Sequence, residues 1–250
     1  MIVSNSIDFV NSLQDETEIR LTSGEFSLDG IEIEYNRHAY MRNTYDGSEL
    51  VIRKKRNAVI CGDPDNNSSL IISAVYSTVL NLEYCEGIEI DNLTLGHTPK
   101  RGSCDGDVLG ISDSEGIRLK NLDLFGCGRA GLCINDSHNI IVENCVIREC
   151  SESIMELYHC ENITFTNCIF RNNCSKTIAI SHCNEIRFEN CLFQDNDTDW
   201  FYTDKDGNSY IFVIGNSSGD IELNKCSFDD RNICSKMDRI HLADAIFVKK

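Results

Sequence analysis

The sequence predicts an all-β chain: a single-stranded right-handed parallel β-helix with a short N-terminal helical cap. Three observations predict it. First, residues 132–193 hold three copies of one pattern at a period of 23 residues. Ile140, Ile163 and Ile186 share a phase, as do Asn144, Asn167 and Asn190, and Cys145, Cys168 and Cys191. Second, each copy alternates apolar and polar residues over short runs, the period of a strand and not of a helix. Third, each copy holds three such runs. Three strands per turn with like residues one turn later describe a solenoid whose turns stack ~4.8 Å apart.

The elements follow in order. Residues Ser6–Gln14 pair Ile7 with Val10 and Phe9 with Leu13, a helical spacing, and this segment is expected to cap the open end of the core. Two short strands follow around Gly24, so residues 1–28 form the N-terminal cap. Residues 29–50 read as polar and irregular. Coils are expected over 50–228, with strand-two residues Ile88, Ile117, Ile140, Ile163, Ile186 and Ile221 in phase, giving about seven turns. Glu89 should then stand over Arg118, and Asp91 over Lys120. Asn92, Asn121, Asn144, Asn167 and Asn190 mark a tight corner between strands two and three, where Asn tolerates the left-handed conformation. Between Ile186 and Ile221 the spacing grows to 35 residues. The inserted stretch carries Trp200 and Tyr202 before Asp206-Gly207, a turn signal, and predicts a projecting hairpin of Trp200–Thr203 and Ser209–Phe212. Residues 229–250 are expected to close the other end, with 239–248 as one more strand. The whole is one domain.

The Asn corners and the coil pattern resemble the pectate-lyase-like superfamily of right-handed β-helix proteins, over about residues 19–228. Gly126-Cys127-Gly128 and the stretch Gly102–Leu109 resemble bacterial members of unassigned function. The resemblance implies that function lies on the outer face of strand one, walled by the loops after strand three. It does not carry catalytic residues over. Pectate lyases use clustered acids holding calcium and an arginine base. Polygalacturonases use Asn-Thr-Asp, Asp-Asp, His-Gly and Arg-Ile-Lys pieces. Here Asp229-Asp230 follows a third strand, and Arg239-Ile240-His241 lacks the lysine.

Alignment of the turns puts Asn81, Gly110, Cys133, Glu156, Ala179 and Val213 on the outer face of strand one. Only Glu156 among them is charged, so paired carboxylates for hydrolysis are absent there. At the next corner stand Asp113, Asp136, His159 and His182, one per turn. Beside Glu156 this column can bind a polar ligand or move a proton, or it is a solvated corner that recurs by duplication. Arg129, Arg148 and Arg171 begin the loops after strand three; they meet a ligand's acids or neutralise Glu149, Glu152 and Glu156. Trp200 and Tyr202 can stack on sugar rings or fold down as a local apolar cover. Calcium is a further candidate at Asp204-Lys205-Asp206-Gly207, which lacks the distal acidic ligands of a calcium loop. No other cofactor and no metal centre is expected.

The net charge of −17 argues against nucleic acid as partner. No segment reads as membrane-spanning or as an export signal, so a cytoplasmic protein with reduced thiols is expected; the 14 cysteines mostly recur at the repeat period and show no CxxC or zinc spacing. Val146, Ile169 and Leu192 form an outward stripe on strand three, a candidate for self-association or for cover by the C-terminal tail. Three functions remain open at this point: a protein that binds or processes carbohydrate at the strand-one groove and the aromatic hairpin, a non-enzymatic recognition or assembly scaffold, and a divergent lyase or glycoside hydrolase.

Overall fold

The computed structural model describes residues 1–14, 16–33, 35–100, 105–126, 128–197, 203 and 205–248. Three parallel sheets run the length of the molecule, and each coil contributes one strand to each. Seven complete three-strand coils are present among the described residues, with partial coils at both ends. In the fifth coil, the three strands are Ser153–Tyr158, Glu161–Thr166 and Ile169–Arg171. We call the three classes of strand one, two and three.

The 23-residue period becomes rung-on-rung stacking. Ile140 pairs with Ile163 and Ile163 with Ile186. The inward side chains then pile on their equivalents. Phe165 stacks on Phe188 at 4.6 Å and nearly parallel, and Phe193 on Phe228 at 4.9 Å. Burial of such a ring supplies much of the folding drive.

The corner asparagines are in the left-handed region, with φ between 51° and 55° from Asn92 to Asn190. Their amides bond along the axis: Asn190 Nδ2 donates to Asn167 Oδ1 at 2.6 Å, and Asn167 to Asn144 at 3.2 Å. A second axial ladder lines the inside of the corner after strand one, where Ser and Cys interchange. The amide of Cys85 donates to Ser114 Oγ, that of Ser114 to Ser137 Oγ, and that of Cys160 to Cys183 Sγ. Cys145, Cys168 and Cys191 are buried, and all 12 described cysteines are free thiols. Glu89 and Asp91 pair in register with Arg118 and Lys120 as expected. Yet Lys120 leans across to Glu89 at 3.3 Å, because Asp91 is already taken by the Asn121 amide.

The N-terminal cap is helix α1, Ser6–Ser12, started by the Asn5 side chain on the Asp8 amide. Phe9, Val10 and Leu13 plug the core, and the buried Lys55 ammonium caps the helix end through Leu13 O at 2.8 Å. Ile7, expected on the buried face, is 59% exposed, because the seven-residue helix turns only one side to the core.

Three other expectations are corrected. The stretch read as irregular contains a strand, Ala39–Asn43, antiparallel to Ser48–Arg53 and closed by a turn at Thr44–Gly47. The inserted hairpin keeps one antiparallel bridge, Thr203 to Ser209, but Phe212 belongs to strand one of the seventh coil. The tail 239–248 gives two strands and not one, Ile240–Ala243 and Ile246–Phe247. The second adds a rung beyond Ser227 and Phe228, so it extends the sheet instead of covering the stripe of Val146, Ile169 and Leu192. That stripe is in register and half-buried.

Candidate functional site

The register places Asn81, Gly110, Cys133, Glu156, Ala179 and Val213 side by side on the outer face of strand one, as expected. The face is shallow. Asn81 and Cys133 are buried, and Gly110 has no side chain because a Cβ there would lie 2.5 Å from Asn81 Oδ1. Glu156 is not free for a ligand. Arg129 holds both its oxygens at 2.8 Å and reaches Asp107 at 3.2 Å. Burial pushes the Asp107 carboxyl up despite the guanidinium beside it. Burial also works against the Arg129 charge, but Asp107 and Glu156 outweigh it and keep the group firmly protonated. The Cys133 thiol, pushed up to about 12 by burial and by these two carboxylates, is no nucleophile. The ion-paired cluster is therefore a closed structural unit.

The corner column is real and open. Asp113, Asp136, His159 and His182 have φ of 49°, 47°, 51° and 56°. That conformation selects Asn, Asp, His and Gly, which explains the residue types physically before any function is invoked. His159 Nδ1 lies 3.2 Å from Asp136, and the His159 and His182 rings meet edge to face at 4.8 Å. Ser181 Oγ lies 2.9 Å from His182 Nδ1. Asp113 and Asp136 also line an open cleft of about 370 Å³ with Arg56, Tyr84, Glu115 and His138. There His138 already meets Glu115 at 2.7 Å.

Sequence reasoning missed Tyr158. It is outward on strand one, two residues beyond Glu156, and 43% exposed. Its ring stacks on His159 at 4.1 Å and meets His182 at 5.4 Å. Its neighbours across the rungs are Asn135 and Ser181, both small, so the ring stands clear. Strand alternation from Glu156 was the signal that could have found it.

The remaining candidates lie elsewhere. Arg148 and Arg171 pair in register on the outer face of strand three, on another sheet. Arg148 is held by Asp123 at 2.8 Å and by Glu149 at 2.5 Å, and its guanidinium covers the Phe125 ring. Arg171 makes no ion pair among the described residues. Trp200, Tyr202 and Asp204 lie outside the described residues. Among the described residues, no group of three or more His, Cys, Asp or Glu side chains is placed to hold a metal ion, and no helix is long and apolar enough to cross a membrane.

The architecture has known counterparts. In solved structures the chain is similar to a pectate lyase, pelN, from Paenibacillus sp. 0602, with a TM-score of 0.65 and 8% identity over 91% of this chain and 70% of that one. It is similar to ORF18 of Geobacillus virus E2, with a TM-score of 0.56 and 11% identity over 84% and 44% of the two chains. It is similar to pectate lyase Pel9A, with a TM-score of 0.57 and 13% identity over 88% and 57%. The chain thus spans about half the length of the last two, and the likeness is one of fold. No curated protein sequence matches. A family model described as a right handed beta helix region matches residues 57–228, well over half the chain and all but the first strands of the coils. The chain belongs to the right-handed beta helix family.

Proposed function

We propose that this β-helix binds carbohydrate along the end of strand one and the corner after it. The carrying observation is the exposed ring platform of Tyr158, His159 and His182 set among small side chains, with Asp136 and Ser181 at its edges. A sugar presents one apolar face and a rim of hydroxyls. An exposed tyrosine ring takes the face, and carboxylate, amide and hydroxyl groups take the rim. The surface is shallow and lined by Gly110, Ser112 and Asn135, which suits an extended chain lying along the axis. Two of the similar folds are pectate lyases, which favours a sugar among polar ligands. The reading keeps the corner residues named from the sequence and moves weight toward them from Glu156, which Arg129 occupies.

A glycan array followed by thermal-shift titration, with and without calcium, tests the reading. The wild type is expected to shift with at least one glycan class. Tyr158→Ala should abolish the shift, and Asp136→Asn should weaken it, with both variants retaining the wild-type unfolding free energy to within about 1 kcal/mol because both sites are surface positions. No shift with any glycan overturns the proposal. Release of unsaturated sugar ends would identify a lyase.

A further inference from the structure

The corner column extends beyond Asp113. Backbone hydrogen bonds between coils place Lys54 and Tyr84 ahead of it, so the column runs Lys54, Tyr84, Asp113, Asp136, His159 and His182, one residue per coil. All six have left-handed φ, between 47° and 56°. That conformation accounts for Asp and His but not for Tyr84, because a bulky aromatic side chain is rare there. Packing does not account for Tyr84 either. It is 56% exposed, and among the described residues its ring stacks on no other ring and its hydroxyl makes no hydrogen bond.

Tyr84 walls one side of the cleft of about 370 Å³, and Asp136 lines the same cleft while edging the Tyr158 platform. Tyr84 and Tyr158 are therefore three coils apart, ~14 Å along the axis, on one continuous surface. A single sugar ring cannot reach both, whereas a chain lying along the axis can. Between them the charge is one-sided. Glu86 holds Arg56 at 3.1 Å and Glu115 meets His138 at 2.7 Å, so the basic groups of the cleft are taken. Asp113 is exposed, and its side chain makes no hydrogen bond or ion pair among the described residues. Asp136, one coil on, is also exposed and meets only His159 among them. Two carboxylates on neighbouring coils repel each other; a cation bound there relieves the repulsion and a third carboxylate adds to it. Lys54 stands on the far side of Tyr84 and bounds this acidic stretch.

We infer that the ligand of this surface is an oligosaccharide bearing amino groups, with Tyr84 and Tyr158 as two stacking subsites and Asp113 and Asp136 taking ammonium groups between them. The inference rests on the carbohydrate reading of the Tyr158 platform and adds a second anchor, a minimum chain length and a charge. Each exposed ion pair is weak, so selection comes from several along one chain. Engagement of the second tyrosine by a chain already held at the first is an intramolecular step, and affinity rises once the chain is long enough to span both.

Calorimetric titration with oligomers of glucosamine, glucose and galacturonate, each from monomer to hexamer, tests the proposal. The glucosamine series is expected to bind most tightly, to strengthen sharply with length, and to weaken as salt is raised. Galacturonate oligomers should bind least. Tyr84→Asn removes the ring while keeping a residue that suits the left-handed corner, so the fold is retained. It should weaken the glucosamine hexamer about tenfold and leave the dimer, held at Tyr158 alone, unchanged. Asp113→Asn should cost the glucosamine hexamer several-fold and the glucose hexamer nothing. Glucose or galacturonate oligomers bound as tightly as glucosamine overturn the proposal. So does a hexamer bound equally by the wild type and Tyr84→Asn; if Tyr158→Ala still abolishes that binding, the platform reading stands without the second subsite. A wild type that binds no oligomer of any series overturns the proposal, and a different glycan bound through Tyr158 in that case keeps the platform reading.

Discussion

At the scale of single residues, backbone conformation chooses most of the polar pattern. Among the described residues, twenty non-glycine residues have positive φ, and most of them sit at the two corners of the coils. Asn167 is representative: φ is 55°, and its amide links the coils on either side. Asn167→Ala is expected to cost about 1–2 kcal/mol, the penalty of a Cβ in the left-handed region without a side chain that tolerates it. Asn167→Gly should cost less, because glycine keeps the conformation and loses only exposed amide bonds. Urea denaturation of the two variants separates these contributions; equal tolerance of Ala and Gly would refute the conformational account. The same logic restrains the reading of Asp113, Asp136, His159 and His182. Their presence follows from φ, and only their exposure beside Tyr158 makes them candidates for binding.

At the scale of elements, the strands were legible and their polar attachments only in part. Ile140, Cys145 and their equivalents repeat because each packs on its own copy, so periodicity carries the fold. Arg129 shows the other case. Its pairing with Glu156 was one of the two readings of the sequence, but its reach back to Asp107 was not, because no repeat marks that contact. The hairpin of Ala39–Asn43 with Ser48–Arg53 was hidden for the same reason, being antiparallel and used once. Lys176 is a further contact of this type. Its ammonium is buried in the loop before Ile178–Ser181 and pairs with Asp230, beyond the last strand three. Burial opposes the Asp230 charge, but the Lys176 ammonium and the Asn232 amide outweigh it and hold the carboxyl below its ordinary range. The unfolded chain therefore takes up this proton at higher pH than the folded one. The pair's contribution is complete above the unfolded value of ~3.9 and is lost as pH falls through the folded value. Asp230→Asn should destabilise by about 2–3 kcal/mol at neutral pH, below the ~3–5 of a wholly buried pair because Asp230 meets water. Its stability should fall less steeply than the wild type's between about pH 4 and the acid end. Parallel acid slopes in wild type and variant would show that Asp230 is not the group responsible.

At the scale of the whole molecule, each coil touches only its neighbours, so the solenoid should tolerate the loss of a unit. Removal of residues 141–163 joins Ile140 to Thr164, and the register makes every residue across the junction an equivalent. Asn167 then takes the place of Asn144 and Cys168 that of Cys145. Arg171 takes the place of Arg148 over Asp123, restoring the ion pair there. Arg129 keeps Asp107 but loses Glu156, a cost at one site. The shortened chain is expected to fold with the same circular dichroism and one cooperative transition. It should lose roughly 1–3 kcal/mol, the share of 23 residues in an ordinary domain. The deletion also takes away Tyr158 and His159. The shortened chain is therefore expected to bind no glycan that the wild type binds. Retained glycan binding with the fold intact would move the sugar site to another part of the molecule.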